Sequence, residues 1–168
     1  MQGETGLVIS AEPIAFLQEF YRETLDLFRM RLDNARAITA YDANNGYQQV
    51  LGRQEMHLRW LADAIADVAG AASISDEPVA PTTMPRDNAG AIIEADIRRQ
   101  REFIDRWSSK IASLTNARNR KLLELILGEM KEHLRVLEQA KEGRTDLLGR
   151  HSDGKVLRGE VLAARPKN

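Results

Sequence analysis

The sequence contains no cysteine. That absence excludes a disulfide framework, thiol catalysis, zinc ribbons and cysteine-ligated clusters. Only 5 prolines and seven valines occur in 168 residues, which disfavours an all-β architecture. No apolar run approaches the length of about 18 residues that a membrane span needs. Neither sign of charge dominates, with 24 basic against 25 acidic side chains and a net charge of -1. A near-neutral chain lacks the basic surface that sequence-independent nucleic-acid binding requires. Met1 to Pro13 carries no Lys or Arg and no sustained apolar stretch, so it does not read as a secretory leader. These absences point to a cytoplasmic protein that binds neither membrane nor nucleic acid. With 43% hydrophobic and 29% charged residues, the chain has the composition of one self-supporting domain.

Apolar residues at steps of three and four mark four helical stretches. The first runs from Pro13 to about Ala43, with Ile14, Leu17, Tyr21, Leu25, Phe28 and Leu32 on one face. Asn44-Asn45-Gly46 reads as a break. The second runs from about Tyr47 to Ala69, with Gly70 as its C-terminal cap. The third carries Ile93, Ile97, Ile104, Trp107, Ile111 and Leu114. The fourth spans about Asn116 to Glu142, with Thr115 as a candidate cap and Gly143 as its end. Between the second and third, Gly70 to Gly90 holds Pro78, Pro81 and Pro85 and reads as a long crossover. Helices of about 25 residues span roughly 37 Å. Two short corners and one long middle connection predict an all-α four-helix bundle with a crossover between helices two and three. Residues 1–12 form an N-terminal extension, 13–142 the bundle, and 143–168 a flexible or docked tail. In that tail Val156-Leu157 and Val161-Leu162 suggest a short docking element, and His151 stands apart from any site.

The second and fourth helices repeat a segment. Leu51-Gly-Arg-Gln-Glu-Met-His57-Leu-Arg-Trp-Leu61 aligns with Leu127-Gly-Glu-Met-Lys-Glu-His133-Leu-Arg-Val-Leu137, identical at six of eleven positions with an offset of 76. A weaker echo, Leu32-Asp-Asn-Ala-Arg36 with Leu114-Thr-Asn-Ala-Arg118, has an offset of 82. A duplicated helix pair implies an approximate two-fold axis, which places His57 and His133 at equivalent inward positions. Gln54 and Gln100 also fall on the apolar stripes. Burying such groups unpartnered costs about 2–7 kcal/mol, so Gln54, His57, Gln100 and His133 are expected to form a hydrogen-bonded polar layer.

The crossover topology and the two histidine segments resemble the ferritin-like superfamily, in particular its rubrerythrin-like branch, over about residues 14 to 140. In that family the first and third helices each give a glutamate and the second and fourth each give Glu-x-x-His, together holding two iron or manganese ions for oxygen or peroxide chemistry. Here Gln54 stands three before His57 and Met130 three before His133. The repeat puts Gln18 and Gln100 where the resemblance expects the other two carboxylates. The metal-ligand candidates are therefore His57 and His133 with Glu129, Glu94, Glu19 and Glu23. Glu129 precedes His133 by four, on nearly one face, and Glu94 precedes it by 39, as Gln18 precedes His57. The resemblance implies iron handling or an oxidative-stress role with a degraded di-iron site, with iron, zinc or manganese as the metal, or none, and a homodimer. The alternative is a metal-free helical bundle that acts as a non-catalytic scaffold or interaction protein. Haem ligation by the two histidines, or by Met56 and Met130, is the weaker third reading. No Gly-rich phosphate loop, nucleophile elbow or His-Glu-x-x-His motif is present.

Overall fold

The computed structural model describes residues 12–75 and 88–144. Within them lie four long helices: α1 (Glu12–Ala37), α2 (Tyr41–Ala69), α3 (Ala89–Ala112) and α4 (Ala117–Lys141), with one 3-10 turn at Ala71–Ser73. The expected N-terminal extension, the crossover prolines and the tail's docking element fall outside the described residues. No helix among the described residues is long and apolar enough to cross a membrane.

Helix neighbours are fixed by cross-helix pairs. Glu19–Lys110, Glu23–Arg106 and Arg31–Asp96 join α1 to α3 with one number rising as the other falls, so the two run antiparallel. Arg53–Glu129 and Asp67–Arg118 do the same for α2 and α4. With α1 also packed on α2 and α3 on α4, the order around the bundle is α1, α2, α4, α3. Helix α2 ends beside the start of α1, where the Gln18 side chain donates to the Ser73 carbonyl at 2.7 Å. Helix α3 begins at the other end, where Ile92 and Ile93 pack with Ala35 and Ile38. The connection from α2 to α3 therefore joins opposite ends of the bundle, as the crossover reading expects.

The first corner differs from the sequence expectation. The break falls at residues 38–40, and Asn44-Asn45-Gly46 lies inside the first turns of α2. The reason is local. Asn44 Nδ2 donates to the carbonyls of Ala35 at 2.8 Å and Ile38 at 3.0 Å, satisfying acceptors left open at the end of α1. Gly46 is buried, so its place in the helix serves packing and not chain reversal. Elsewhere Asn88 caps α3, accepting from Gly90 N at 2.8 Å, and Asn116, one residue past the expected Thr115, caps α4 by accepting from Asn119 N at 3.0 Å. Gly70 and Gly143 end their helices with φ of 81° and 75°, a region that side-chain-bearing residues avoid.

The core is two apolar clusters with a polar layer between them. One cluster gathers Leu17, Phe20, Leu61, Ile65, Phe103, Trp107, Ile111 and Leu123 at the end where α1 starts. There Phe20 meets Trp107 edge-on at 4.9 Å, and the Trp107 indole N–H donates to Glu23 at 2.9 Å. The other cluster, at the opposite end, holds Ile38, Tyr47, Leu51, Ile92, Ile97 and Leu137.

Candidate functional site

The polar layer is built from stripe positions occupied by non-apolar side chains. Thr24, Arg31 and Asn34 come from α1, Gln54 and His57 from α2, Asp96 and Gln100 from α3, and His133 from α4; all are buried. On α1 the buried face runs through Leu17, Phe20, Thr24, Leu27, Met30 and Arg31, while Leu25, Phe28 and Leu32 are only half-buried. The apolar pattern alone misplaces that face, because Thr24 and Arg31 are counted as outward.

Two hydrogen-bonded groups lie in the layer, and the expected bonding of Gln54, His57, Gln100 and His133 to one another is not seen: Gln54 and Nδ1 of His133 are buried without a partner. In the first, the Arg31 guanidinium donates to both oxygens of Asp96, from Nε at 3.1 and 3.0 Å and from Nη2 at 2.8 Å. Arg31 Nη2 also donates to Gln100 Oε1 at 2.7 Å, and Gln100 Nε2 donates to the Met130 carbonyl at 2.8 Å. The chain of bonds crosses from α1 through α3 to α4 with every member fully buried. The Tyr47 hydroxyl lies beside Asp96 and Asn34, and burial followed by the Asp96 charge raises its pKa well beyond the ordinary tyrosine value.

In the second group, Glu129 accepts from Arg53 Nε at 3.1 Å and also from Arg53 Nη2. The same carboxylate lies 2.7 Å from His57 Nε2. Burial on its own raises the Glu129 pKa, but hydrogen bonds from Arg53 and His57 pull it below the usual carboxylate range. An ionised carboxylate can only accept, so Nε2 of His57 carries the proton and Nδ1 presents a lone pair. The His57 and His133 rings stack with centroids 5.7 Å apart and planes 23° from parallel. The Trp60 ring centroid lies 5.8 Å from that of His57, with the planes tilted by 41°. Burial lowers both histidine pKa values, and for His133 the charges of Arg31 and His57 add to bring it to about 3. Both imidazoles are therefore neutral at physiological pH. Nδ1 of each ring and both polar atoms of the Gln54 side chain lack a protein partner while buried.

The two-fold repeat is visible here. Arg53 and Glu129 are equivalent by the offset of 76, as are His57 and His133, and each equivalent pair meets across α2 and α4.

The other candidate ligands lie elsewhere. Glu19 pairs with Lys110 at 3.2 Å. Glu23 takes Arg106 and the Trp107 indole. Glu94 pairs with Lys141 at 3.0 Å on the surface, which lowers its pKa. Gln18 holds the turn after α2 and takes no part in the polar layer. Of the expected ligands, Glu129 reaches His57, and His57 stacks on His133, without the three converging on one point; of the expected layer, Gln54, Gln100 and Met130 are buried in the interior. Sequence reasoning missed Arg31, Asp96, Asn34 and Arg53. Asp96 carried a usable signal, since it sits three residues after Ile93 and four before Gln100 on the α3 stripe.

The residues present do not fit a di-metal centre. Two di- or trivalent ions close together need several anionic oxygens to offset their repulsion. Among the described residues, Asp96 is the fully buried carboxylate, and Arg31 neutralises it. Glu129 is the carboxylate that acts on the histidines, and Arg53 neutralises it. Among the described residues, no three His, Asp or Glu side chains are gathered as a metal site requires.

No family model, curated protein or solved structure matches the chain.

Proposed function

We propose that the chain is a ferritin-like, rubrerythrin-related bundle that works without a metal, as a non-catalytic interaction module. The observation that carries this reading is the buried Arg31–Asp96–Gln100–Met130 network. A guanidinium is the interior cation in this bundle, fixed by bidentate pairing and a neutral amide. It supplies the cross-helix ties that a metal bridge supplies in the family, without redox or Lewis-acid chemistry. The second cation, Arg53, occupies the acceptor capacity of Glu129 that a metal would need. The crossover between α2 and α3, the stacked histidines and the internal repeat support the kinship; the charge sum supports the change of role.

Metal analysis tests the reading. Purified protein is loaded anaerobically with ferrous iron, and separately with zinc and manganese, desalted and measured. The expected result is far less than one ion per chain, no oxygen-dependent absorbance change, and a melting temperature unmoved by chelator. Stoichiometric metal that is lost in His57→Leu/His133→Leu would overturn it, in favour of a single site on His57, His133 and Glu129.

A further inference from the structure

We propose that the outer groove between α2 and α4 receives a segment of this chain's own C-terminal tail, Leu157 to Ala164, docked as a short helix alongside α2. The proposal concerns the outer surface and stands independently of what the interior holds.

The apolar exposure of the molecule is one-sided. Among the described residues, every exposed large hydrophobic belongs to α2 or α4, with Leu125 at 52%. Between those helices lies a groove of about 360 Å³. Trp60, Leu122 and Leu125 give it an apolar lining, Asp63 and Asp67 join from α2, and Arg118 joins from α4. An exposed apolar strip rimmed by polar side chains marks a contact site. Its charges are unbalanced. Asp67 pairs with Arg118 at 3.4 Å. Asp63 makes no ion pair among the described residues, so the groove carries one uncompensated negative charge. The neighbouring charges are taken up within the chain, as Arg53–Glu129, Arg59–Glu55, Lys121–Glu124 and Arg135–Glu132. Lys131 stands seven residues before Glu138, on the side of α4 where Glu138 meets Arg101 of α3.

The tail carries the matching pattern. Leu157, Val161 and Ala164 recur at steps of four and three, between Gly154 and Pro166. At about 3.6 residues per turn, Arg158 and Arg165 fall together on one flank of that stripe, Glu160 falls on the other, and Lys155 points away. A helix this short gains little stability alone, so its formation depends on the surface it covers.

Reach and direction select this segment. Helix α4 ends at Lys141, at the end of the bundle away from the groove. From Arg144 back to Leu125 is about 28 Å along the helix axis. The stretch from Arg144 to Leu157 spans up to about 43 Å when extended. The tail therefore enters the groove from the Glu129 side and runs in the direction of α2. As a helix, Leu157 to Ala164 is about 10 Å long, the same rise as Trp60 to Asp67 and Arg118 to Leu125. The hand of the bundle then places the charges. Ile65 of α2 turns toward Tyr21 of α1, and Arg53 turns toward Glu129 of α4. Seen from outside with α2 rising on the left, α4 descends on the right. A rising helix with Leu157, Val161 and Ala164 turned inward sets Arg158 and Arg165 on the left, over Asp63 and Asp67, and Glu160 on the right, toward Arg118. Laid in the opposite direction, the same helix sets both arginines against Arg118.

The absence of cysteine lets the contact be read directly. Full-length Leu125→Cys/Leu157→Cys is treated with a short bismaleimide at low protein concentration, beside Glu102→Cys/Leu157→Cys, whose first position is exposed on α3. The expected result is a crosslink within one chain that forms at least tenfold faster in the first variant. Val161→Asp should remove that advantage while the helical circular dichroism and melting of the bundle stay unchanged. Asp63→Arg should slow the crosslink several-fold, and Arg158→Asp added to it should restore the rate. Equal rates in the two cysteine pairs overturn the proposal and leave the groove to a different protein. A rate advantage indifferent to Val161→Asp overturns it as well. Crosslinks between singly substituted Leu125→Cys and Leu157→Cys chains that outpace the intramolecular product give the groove to a second copy. Faster crosslinking of Leu125→Cys with Val8→Cys gives it to the N-terminal segment. None of these outcomes bears on the metal analysis, so the two readings fail separately.

Discussion

Removing the Arg31 charge should be among the most damaging single changes available to this protein, and removing Asp96 with it should repair most of the damage. Arg31→Met keeps the length of the side chain while leaving the Asp96 carboxylate at zero exposure without its guanidinium. Three hydrogen bonds to Asp96 and one to Gln100 disappear together. Breaking one partner of a buried pair costs about 3–5 kcal/mol, because the remaining charge stays desolvated. At about 3 °C per kcal/mol for a chain of this size, melting should fall by roughly 9–15 °C. Asp96→Leu should cost a similar amount, stranding the guanidinium. The double variant Arg31→Met/Asp96→Leu removes both charges and should return to near parental stability or exceed it, a coupling of several kcal/mol. Urea unfolding at neutral pH of the parent and three variants completes the cycle. Single variants each costing under about 1 kcal/mol, or a double variant whose cost is the plain sum, would refute the claim that these charges sit desolvated against each other.

Acid should weaken the fold through the histidines. His133 is depressed from 6.5 to about 3 in the folded protein, so the unfolded chain takes up a proton first; stability is complete above about pH 6.5 and is lost as pH falls toward 3. At pH 4.5 this residue alone should cost about 3 kcal/mol, two pH units at about 1.4 kcal/mol each, with His57 acting in the same direction. The gap between urea midpoints at pH 7.5 and 4.5 should narrow in His133→Leu, with the remainder left by His57 and Glu129; an unchanged gap would contradict the assignment. Asn44→Ala strips the end of α1 of two carbonyl partners and should cost about 1 kcal/mol, measured by denaturant unfolding. Gly52→Ala should stabilise by up to about 1 kcal/mol, since a Cβ there meets nothing within 4 Å on a helix. Gly143→Ala should instead destabilise by about 1 kcal/mol, because its φ of 75° disfavours any side chain; equal effects at both positions would contradict the backbone argument.

The bundle and its connection were readable because steps of three and four survive in all four helices and because prolines cluster in one place. The spacing also put His57 and His133 inward and matched them across the repeat. Periodicity names a face and not a partner, however: the spacing put Glu129 on one face with His133, whereas its carboxylate reaches His57, and it put Glu94 beside it as a candidate, although Glu94, like Glu19 and Glu23, is held by a cation on the neighbouring helix. Arg31 and Asp96 escaped notice because each is hydrophilic alone, and only their mutual neutralisation makes them interior residues. Asn44-Asn45-Gly46 misled for a similar reason: an asparagine that breaks a helix in isolation here serves the carbonyls of the preceding one.

The Arg53–Glu129 clamp joins opposite charges at positions that the repeat makes equivalent. Were the two halves the same sequence, arginine would confront arginine at that spot, or glutamate would confront glutamate. Divergence at this one position thus makes each hairpin a poor mate for itself and a good mate for the other. Residues 12–75 and 88–144, produced as separate peptides and mixed, should assemble with each other in preference to their own kind, and exchanging Arg53 for glutamate should abolish that discrimination.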